Sequence, residues 1–247
     1  MIERVSGHTI ELEGFSPEMT VVDLGAHRGG FSCLLRNRIG GGTFHLVEAN
    51  PELQTELNAH EGMHVWPYAV AAKSGKVTFN ISKNPTGSSL LELPETAKWD
   101  NVLDHAVTVE SRSLEDLLRQ IGVEAPDLLK MDIEGAEVEV LDAAPDALLR
   151  NIRQVTAEFH SDADFGFDMV AAGEKTIRRM RRLGFFFMDF SDGRRIDVLF
   201  LNRRFYPVSL RRRGMWWIRN RRSNGFRRLL RKIPVRWRRR LLGGDRV

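Results

Sequence analysis

The stretch Val21-Val22-Asp23-Leu24-Gly25-Ala26-His27-Arg28-Gly29-Gly30 decides the reading of the fold. An apolar run ends in an acid, a glycine-bearing turn follows, and a helical segment opens at Phe31. This is the strand–loop–helix of a nucleotide-binding α/β unit, where glycine lets the backbone bend sharply and approach a ligand without a Cβ in the way. The spacing D-x-G-x-x-x-G differs from the G-x-G-x-x-G of a dinucleotide fold. Without the middle glycine the turn is poorly shaped for a pyrophosphate. An acid ahead of the first glycine suits a ligand with a positively charged amino-acid end, as S-adenosylmethionine has. Asp23, Gly25 and Gly29 are therefore candidate cofactor-binding residues.

Working outward, Phe44-His45-Leu46-Val47-Glu48 reads as a second strand ending in an acid, 25 positions after Asp23. That is about one β-α-β step, and an acid there can accept hydrogen bonds from both ribose hydroxyls. Pro51 and Glu52 mark the next helix start. His64–Val70 reads as a third strand running into a loop, and Val77–Ile81 alternates like an exposed strand. Thr9–Glu13 reads as a short leading strand or cap. Residues 82–106 give no clear element, Val107–Val109 reads as a strand, and Ser113 caps a helix to about Ile121. Asp127–Asp132 is another strand ending in an acid, with a helix from Ala136 to about Ala144. Gln154–His160 is the next strand, a helix spans roughly 170–183, and Phe185–Phe190 with Ile196–Leu201 forms a terminal hairpin. Strands alternating with helices imply an α/β fold with a mainly parallel sheet, to which the hairpin adds an antiparallel strand.

Composition narrows the class. The single cysteine, Cys33, rules out an intrachain disulfide and reads as a small buried residue. The first residues lack a secretory pattern, and no apolar run approaches the roughly 18 residues of a membrane span, so a cytoplasmic location is expected. The net charge of +4 hides an asymmetry. Residues 203–247 hold 17 of the 37 Lys+Arg and one acid, Asp245, so this segment carries +16 and the remainder −12. The expected organisation is a catalytic domain over 1–205 and a basic amphipathic tail over 206–247.

Three blocks, VVDLGAHRGGFS at 21–32, FHLVEANP at 44–51 and LLKMDIEGAEVEVL at 128–141, resemble the FkbM-type family of S-adenosylmethionine-dependent methyltransferases. The likeness covers about 20–205, and the K-x-D-x-E-G-A-E block is its most specific part. Ala69-Val70 and Gly87-Ser88-Ser89-Leu90 match more weakly. The resemblance implies a Rossmann-like class I methyltransferase fold, S-adenosylmethionine as cofactor, and methylation of a hydroxyl oxygen on a saccharide or small metabolite. It adds Ala69 and Val70 to the cofactor-binding residues and sets the 87–90 loop near the cleft. The chain departs from the family pattern at His27, where asparagine is usual, and at Arg28. The short leader leaves little chain ahead of the fold to form a substrate lid.

Asp23, Glu48, Asp132 and Glu158 all fall at the carboxyl ends of strands, where open α/β sheets bind ligands. A hydroxyl is a poor nucleophile, and a carboxylate or histidine within reach of its proton supplies general-base help. Asp132 and His160 are the leading candidates, with Glu134 next. The alternative for Asp132 or Glu134 is a helix cap. A divalent metal held by Asp132, Glu158 and His160 is the less favoured reading, since no tight ligand spacing supports it. His8, His45, His60, His64 and His105 show no partner pattern and read as structural or exposed.

Within residues 211–242, Phe226, Leu229, Leu230, Ile233 and Trp237 share one helical face, Pro234 kinks it, and arginine fills the other. Such a segment suits an anionic membrane surface. RNA is the less favoured partner, although an RNA methyltransferase anchored by this tail and a non-catalytic cofactor-binding module remain the competing readings. Docking of the tail on the acidic body is a further alternative.

Overall fold

The computed structural model describes residues 2–83, 87–91, 102–159, 169–191 and 196–206. The tail, with its candidate membrane face at 211–242, and His160 lie outside the described residues. The expected boundary between a domain and a tail at 205/206 falls at the end of the described chain.

The decisive stretch folds as strand β3 (Thr20–Leu24), a loop, and helix α1 (Gly30–Ile39). Strands β4 (Thr43–Val47) and β5 (His64–Trp66) extend the sheet on one side in parallel. Strands β9 (Leu128–Met131) and β10 (Gln154–Ala157) extend it on the other, also in parallel. Strands β11 (Phe185–Asp189) and β12 (Val198–Asn202) close that edge as an antiparallel hairpin, with β12 paired to β10. The seven strands run in the order β11-β12-β10-β9-β3-β4-β5. This is the expected Rossmann-like α/β sheet, mainly parallel with a terminal antiparallel hairpin. The switch from β3–β4 to β3–β9 opens a crevice at the carboxyl ends of the strands.

Alternation along each strand fills two cores. Val21, Phe44, Leu46 and Leu128 point to one face, where Phe31 and Leu35 of α1 cover them. Val22, Leu24, Val47, Leu129 and Met131 point to the other. That face is covered by helices α3 (Leu114–Gln120), α4 (Glu137–Ala143) and α6 (Met169–Arg182). Between β4 and β5 lie a 3-10 turn (Pro51–Leu53), capped by Asn50, and helix α2 (Gln54–Asn58). Helix α5 (Asp146–Leu149) follows α4.

Three parts differ from the sequence expectations. The third strand does not continue to Val70: Pro67 ends it, and β6 (Ala69–Val70) leaves the main sheet to pair with β8 (Leu103–Arg112). The segment expected as a short strand at 107–109 is therefore ten residues long, and β7 (Gly75–Ser82) pairs with it antiparallel. Its Asp104, His105, Ala106, Thr108 and Glu110 are exposed, so little apolar periodicity marked its length. Thirdly, the leader is a hairpin of β1 (Ile2–Val5) and β2 (His8–Glu11), whose Val5 and Ile10 join the core under α1. Thr9 N–H and Oγ1 donate to the Asp197 carboxylate at 2.9 and 2.8 Å, and Gln154 exchanges two hydrogen bonds with the Glu11 backbone.

Candidate active site

The carboxyl ends of β3, β4 and β9 open into a cavity of about 440 Å³, walled by the loop after β3, by Tyr68–Val70 and by Phe79, Ser88 and Leu90. Its shape depends on one close backbone approach. Gly25, at φ +72°, lies so near β9 that a Cβ there would sit 1.8 Å from the Asp132 carbonyl oxygen. Only glycine lets the two strand ends meet. Gly25 and Ala26 N–H then donate to the Val47 carbonyl at 2.9 and 3.1 Å, which locks the loop to β4.

Glu48 follows directly from β4 and is 7% exposed. Its Oε2 accepts from His27 N–H and its Oε1 from Asn50 N–H, both at 2.8 Å. Burial pushes its carboxyl above the usual range, while those two N–H groups and the Lys130 charge pull the other way. His27 takes a left-handed φ of +50°, and its Nε2 is buried without a hydrogen-bond partner among the described residues. Burial and the Arg28 charge hold the His27 imidazole below its ordinary value.

Beneath this floor lies a buried charge pair. Asp23 is fully buried, accepts from Ser32 Oγ at 2.7 Å, and stands 3.0 Å from Lys130 Nζ. Lys130 Nζ also donates to the Gly25 carbonyl at 2.7 Å. Burial works to lower the Lys130 ammonium, but the Asp23 and Asp132 carboxylates overcome it and hold it above the ordinary lysine value. This placement sets Asp23 behind the cavity lining rather than at its surface. It does not line the cavity, because its carboxylate is consumed in fixing Lys130 and the loop. Gly29 does not line it either; at φ +75° it starts α1, and a Cβ there would meet the His60 ring at 2.8 Å. Gly25, Glu48, Ala69 and Val70 do line it.

Asp132, Glu134 and Glu158 line the same cavity. Asp132 N–H is bonded to the Leu24 carbonyl at 3.1 Å, and its side chain is 28% exposed. Glu134 takes φ +52°, a conformation rare for its type, and its carbonyl accepts from Ser89 Oγ at 2.5 Å. The following turn is tight: a Cβ on Gly135, at φ +105°, would lie 2.4 Å from Leu91. Here the structure adds a residue that the sequence did not mark. Glu137, fully buried, reaches back to accept from Ile133 and Gly135 N–H. It braces the loop that carries Asp132 and Glu134.

The histidine at this site also differs from expectation. His8, at the start of β2, is 3% exposed, and its Nε2 lies 3.2 Å from Asp132 Oδ2. Ligand atoms of His8, Asp132 and Glu158 lie within 4.8 Å of one another. The leader thus delivers a residue to the site rather than leaving it uncovered. No local pattern in the sequence could have paired residues 124 positions apart. His45, by contrast, is structural: it accepts from Trp66 Nε1 at 3.2 Å, and burial lowers it to about 4.

The model of the FkbM methyltransferase domain matches residues 23–187, which include both strand ends of the cavity and the braced loop. The chain belongs to the FkbM methyltransferase family. It is similar in fold to an FkbM methyltransferase from Methylobacillus flagellatus KT, with 16% identity, a TM-score of 0.50, and 81% of this chain and 48% of that one covered. It is also 36% identical over 70 residues to the antimetabolite synthetase AmbE of Pseudomonas aeruginosa, a match spanning 26% of this chain and 3% of the synthetase. A fibrillarin from Aeropyrum pernix, solved with natively bound S-adenosyl-L-methionine, matches at 14% identity and a TM-score of 0.40 over 77% of this chain and 68% of that one. Family membership implies S-adenosylmethionine as the cofactor. The residues fit it: a buried acid at the end of β4, an unpartnered His27 nitrogen and a glycine cradle meet in one cavity.

Proposed function

We propose that this chain transfers a methyl group from S-adenosylmethionine to a hydroxyl oxygen of a saccharide or small metabolite. The observation that carries this reading is the meeting of Glu48 and Asp132 in one cavity, within a family methyltransferase domain. Glu48 would hold the ribose hydroxyls of the cofactor through the lone pairs that its two N–H partners leave, and the Gly25–Arg28 backbone with Ala69 and Val70 would complete the cofactor's binding surface. The cofactor supplies a methyl group activated by its attachment to a positive sulfur. Asp132 would take the acceptor hydroxyl's proton as that oxygen receives the methyl group. Glu134 orients the acceptor from the same loop. His160 lies outside the described residues and stays a second candidate base.

No helix among the described residues is long and apolar enough to cross a membrane. The proposed placement is cytoplasmic and peripheral, with the arginine- and tryptophan-rich segment 211–242 resting on an anionic surface. The full-length chain should float with anionic vesicles, and the 1–205 fragment should not. High salt should weaken attachment without abolishing it, because apolar contacts are not screened. Preference for competitor RNA over vesicles, with steep loss in salt, would reassign the tail.

Methyl-labelled cofactor incubated with the protein and with separated small-molecule, lipid and RNA fractions tests the transfer itself. Label is expected in the small-molecule fraction. Label in RNA overturns the acceptor class, and no binding of cofactor in calorimetry overturns the reading altogether.

A further inference from the structure

The β1–β2 hairpin reaches the cavity from outside the strand–loop–helix plan, and it is held there firmly. Beyond the Thr9–Asp197 and Glu11–Gln154 bonds, Arg4 Nε lies 3.5 Å from Asp197, and Glu3 makes a two-point contact with Arg38 of α1. What this anchoring brings into the cavity is His8. We propose that His8 is a positioning residue that fixes the carboxylate of Asp132 toward the acceptor, and that the hairpin exists at this site to carry it. The role rests on the methyl-transfer reading above.

A carboxylate accepts, so the hydrogen between the two side chains belongs to His8 Nε2, 3.2 Å from Asp132 Oδ2. That tautomer leaves Nδ1 bare. Nδ1 is buried with no hydrogen-bond partner among the described residues, and a proton placed there would strand a donor. The Phe31 ring, edge-on at 5.6 Å, packs against the imidazole. The pair is therefore directional. Lys130 Nζ, 3.7 Å from the same Oδ2, adds charge without the orientation that a planar ring gives. Together they restrain the carboxylate in one rotamer at the cavity wall, so less freedom is lost when the acceptor hydroxyl is met.

The same His8, Asp132 and Glu158 atoms are near enough to meet at a divalent cation. The hydrogen-bond reading is the stronger. A metal-bound imidazole normally donates its other N–H to an acceptor, and Nδ1 has none among the described residues. Lys130 also places a cation beside the site.

The tautomer gives a test that needs no acceptor. In the 15N-labelled full-length protein, long-range proton–nitrogen spectra should show His8, assigned by loss of its signals in His8→Gln, with hydrogen on Nε2 and a bare Nδ1. Asp132→Ala should mix the tautomers. Hydrogen on Nδ1, or an unchanged pattern in Asp132→Ala, overturns the proposal. Stoichiometric MnCl2 that broadens His8 and is displaced by Glu158→Gln overturns it in favour of a metal ligand. With methyl-labelled cofactor and the small-molecule fraction, His8→Leu should slow transfer about tenfold or more at unchanged cofactor affinity. His8→Gln, which keeps a donor, should restore most of the rate. Equal loss in both variants with a lowered melting temperature makes His8 a packing residue only. Absence of cofactor binding by the wild type would break the functional reading instead, while leaving the tautomer to report on His8.

Discussion

The two walls of the cavity are built by different means. On the Glu48 wall everything is local. Gly25, His27, Glu48 and Asn50 come from two adjacent strand ends, and main-chain N–H groups set the carboxylate. On the Asp132 wall almost nothing is local. Asp132 is met by His8 from the leader, Glu134 is tied to Ser89, and Gly135 is pressed by Leu91. A wall set by backbone is suited to one invariant ligand. A wall assembled from three separate segments can be altered piece by piece, which suits the part of a family fold that meets differing acceptors.

Lys130 joins the two walls, and breaking that joint should produce the largest effect. Its ammonium contacts Asp23, the Gly25 carbonyl and Asp132. Lys130→Met leaves Asp23 fully buried and uncompensated. Removing one partner of such a pair costs about 3–5 kcal/mol. Urea unfolding should show this loss, and Asp23→Asn added to Lys130→Met should recover part of it. A single Lys130→Met variant of wild-type stability would mean that the two walls are held independently.

This contrast also explains what the sequence disclosed. Strand ends, glycine turns and the β-α-β spacing are local, so the sheet, the Glu48 wall and the order of elements were legible in a single pass along the chain. Asp132 was legible as a strand-end acid, but its partners were not. His8 is separated from it by 124 residues, and an isolated histidine in a short alternating segment looks like any other. Asp23 was open for a related reason. An acid beside a cofactor loop is equally consistent with touching the ligand or with holding the loop, and its contact with Lys130, which supports the second, leaves no local mark in the sequence. Lys130 was itself visible in the K-x-D-x-E-G-A-E block, yet its apolar neighbours Leu128, Leu129 and Met131 gave no sign of which groups its ammonium meets. Glu137 was hidden likewise: a first-turn acid on a helix is common, and its bonds to Ile133 and Gly135 depend on the loop's exact course.

The next effect concerns the acceptor wall alone. Asp132→Asn keeps size and an acceptor oxygen for His8 while removing the charge. If Asp132 is the base, transfer should fall about a hundredfold, or about 2.7 kcal/mol in barrier. Cofactor affinity measured by calorimetry should stay within a few-fold of wild type, since Glu48 and the Gly25 loop are untouched. Near-wild-type turnover would remove Asp132 from the chemistry and shift the role of base toward His160 or Glu134.

The smallest expected effect falls on the cofactor wall and is read through pH. Glu48 can receive both ribose hydroxyls only as a carboxylate. Burial raises its midpoint above the usual 4.5 in the folded protein. Cofactor affinity should therefore weaken as pH falls through that raised midpoint. Stability of the cofactor-free protein moves the other way. A raised folded value means that the folded state holds the proton more tightly than the unfolded one, so this group's contribution is fully present below about 4.5 and lost as pH rises through the folded midpoint. The rise in melting temperature on adding S-adenosylmethionine should accordingly grow with pH across this window. Glu48→Ala should weaken binding tenfold or more, on the order of 1.5–3 kcal/mol for a hydrogen bond to a charged group, and should flatten the window. A folded Glu48→Ala protein with unchanged affinity and the same pH profile would dissolve the distinction between the walls, because the cofactor would then be held by something other than the backbone-set carboxylate.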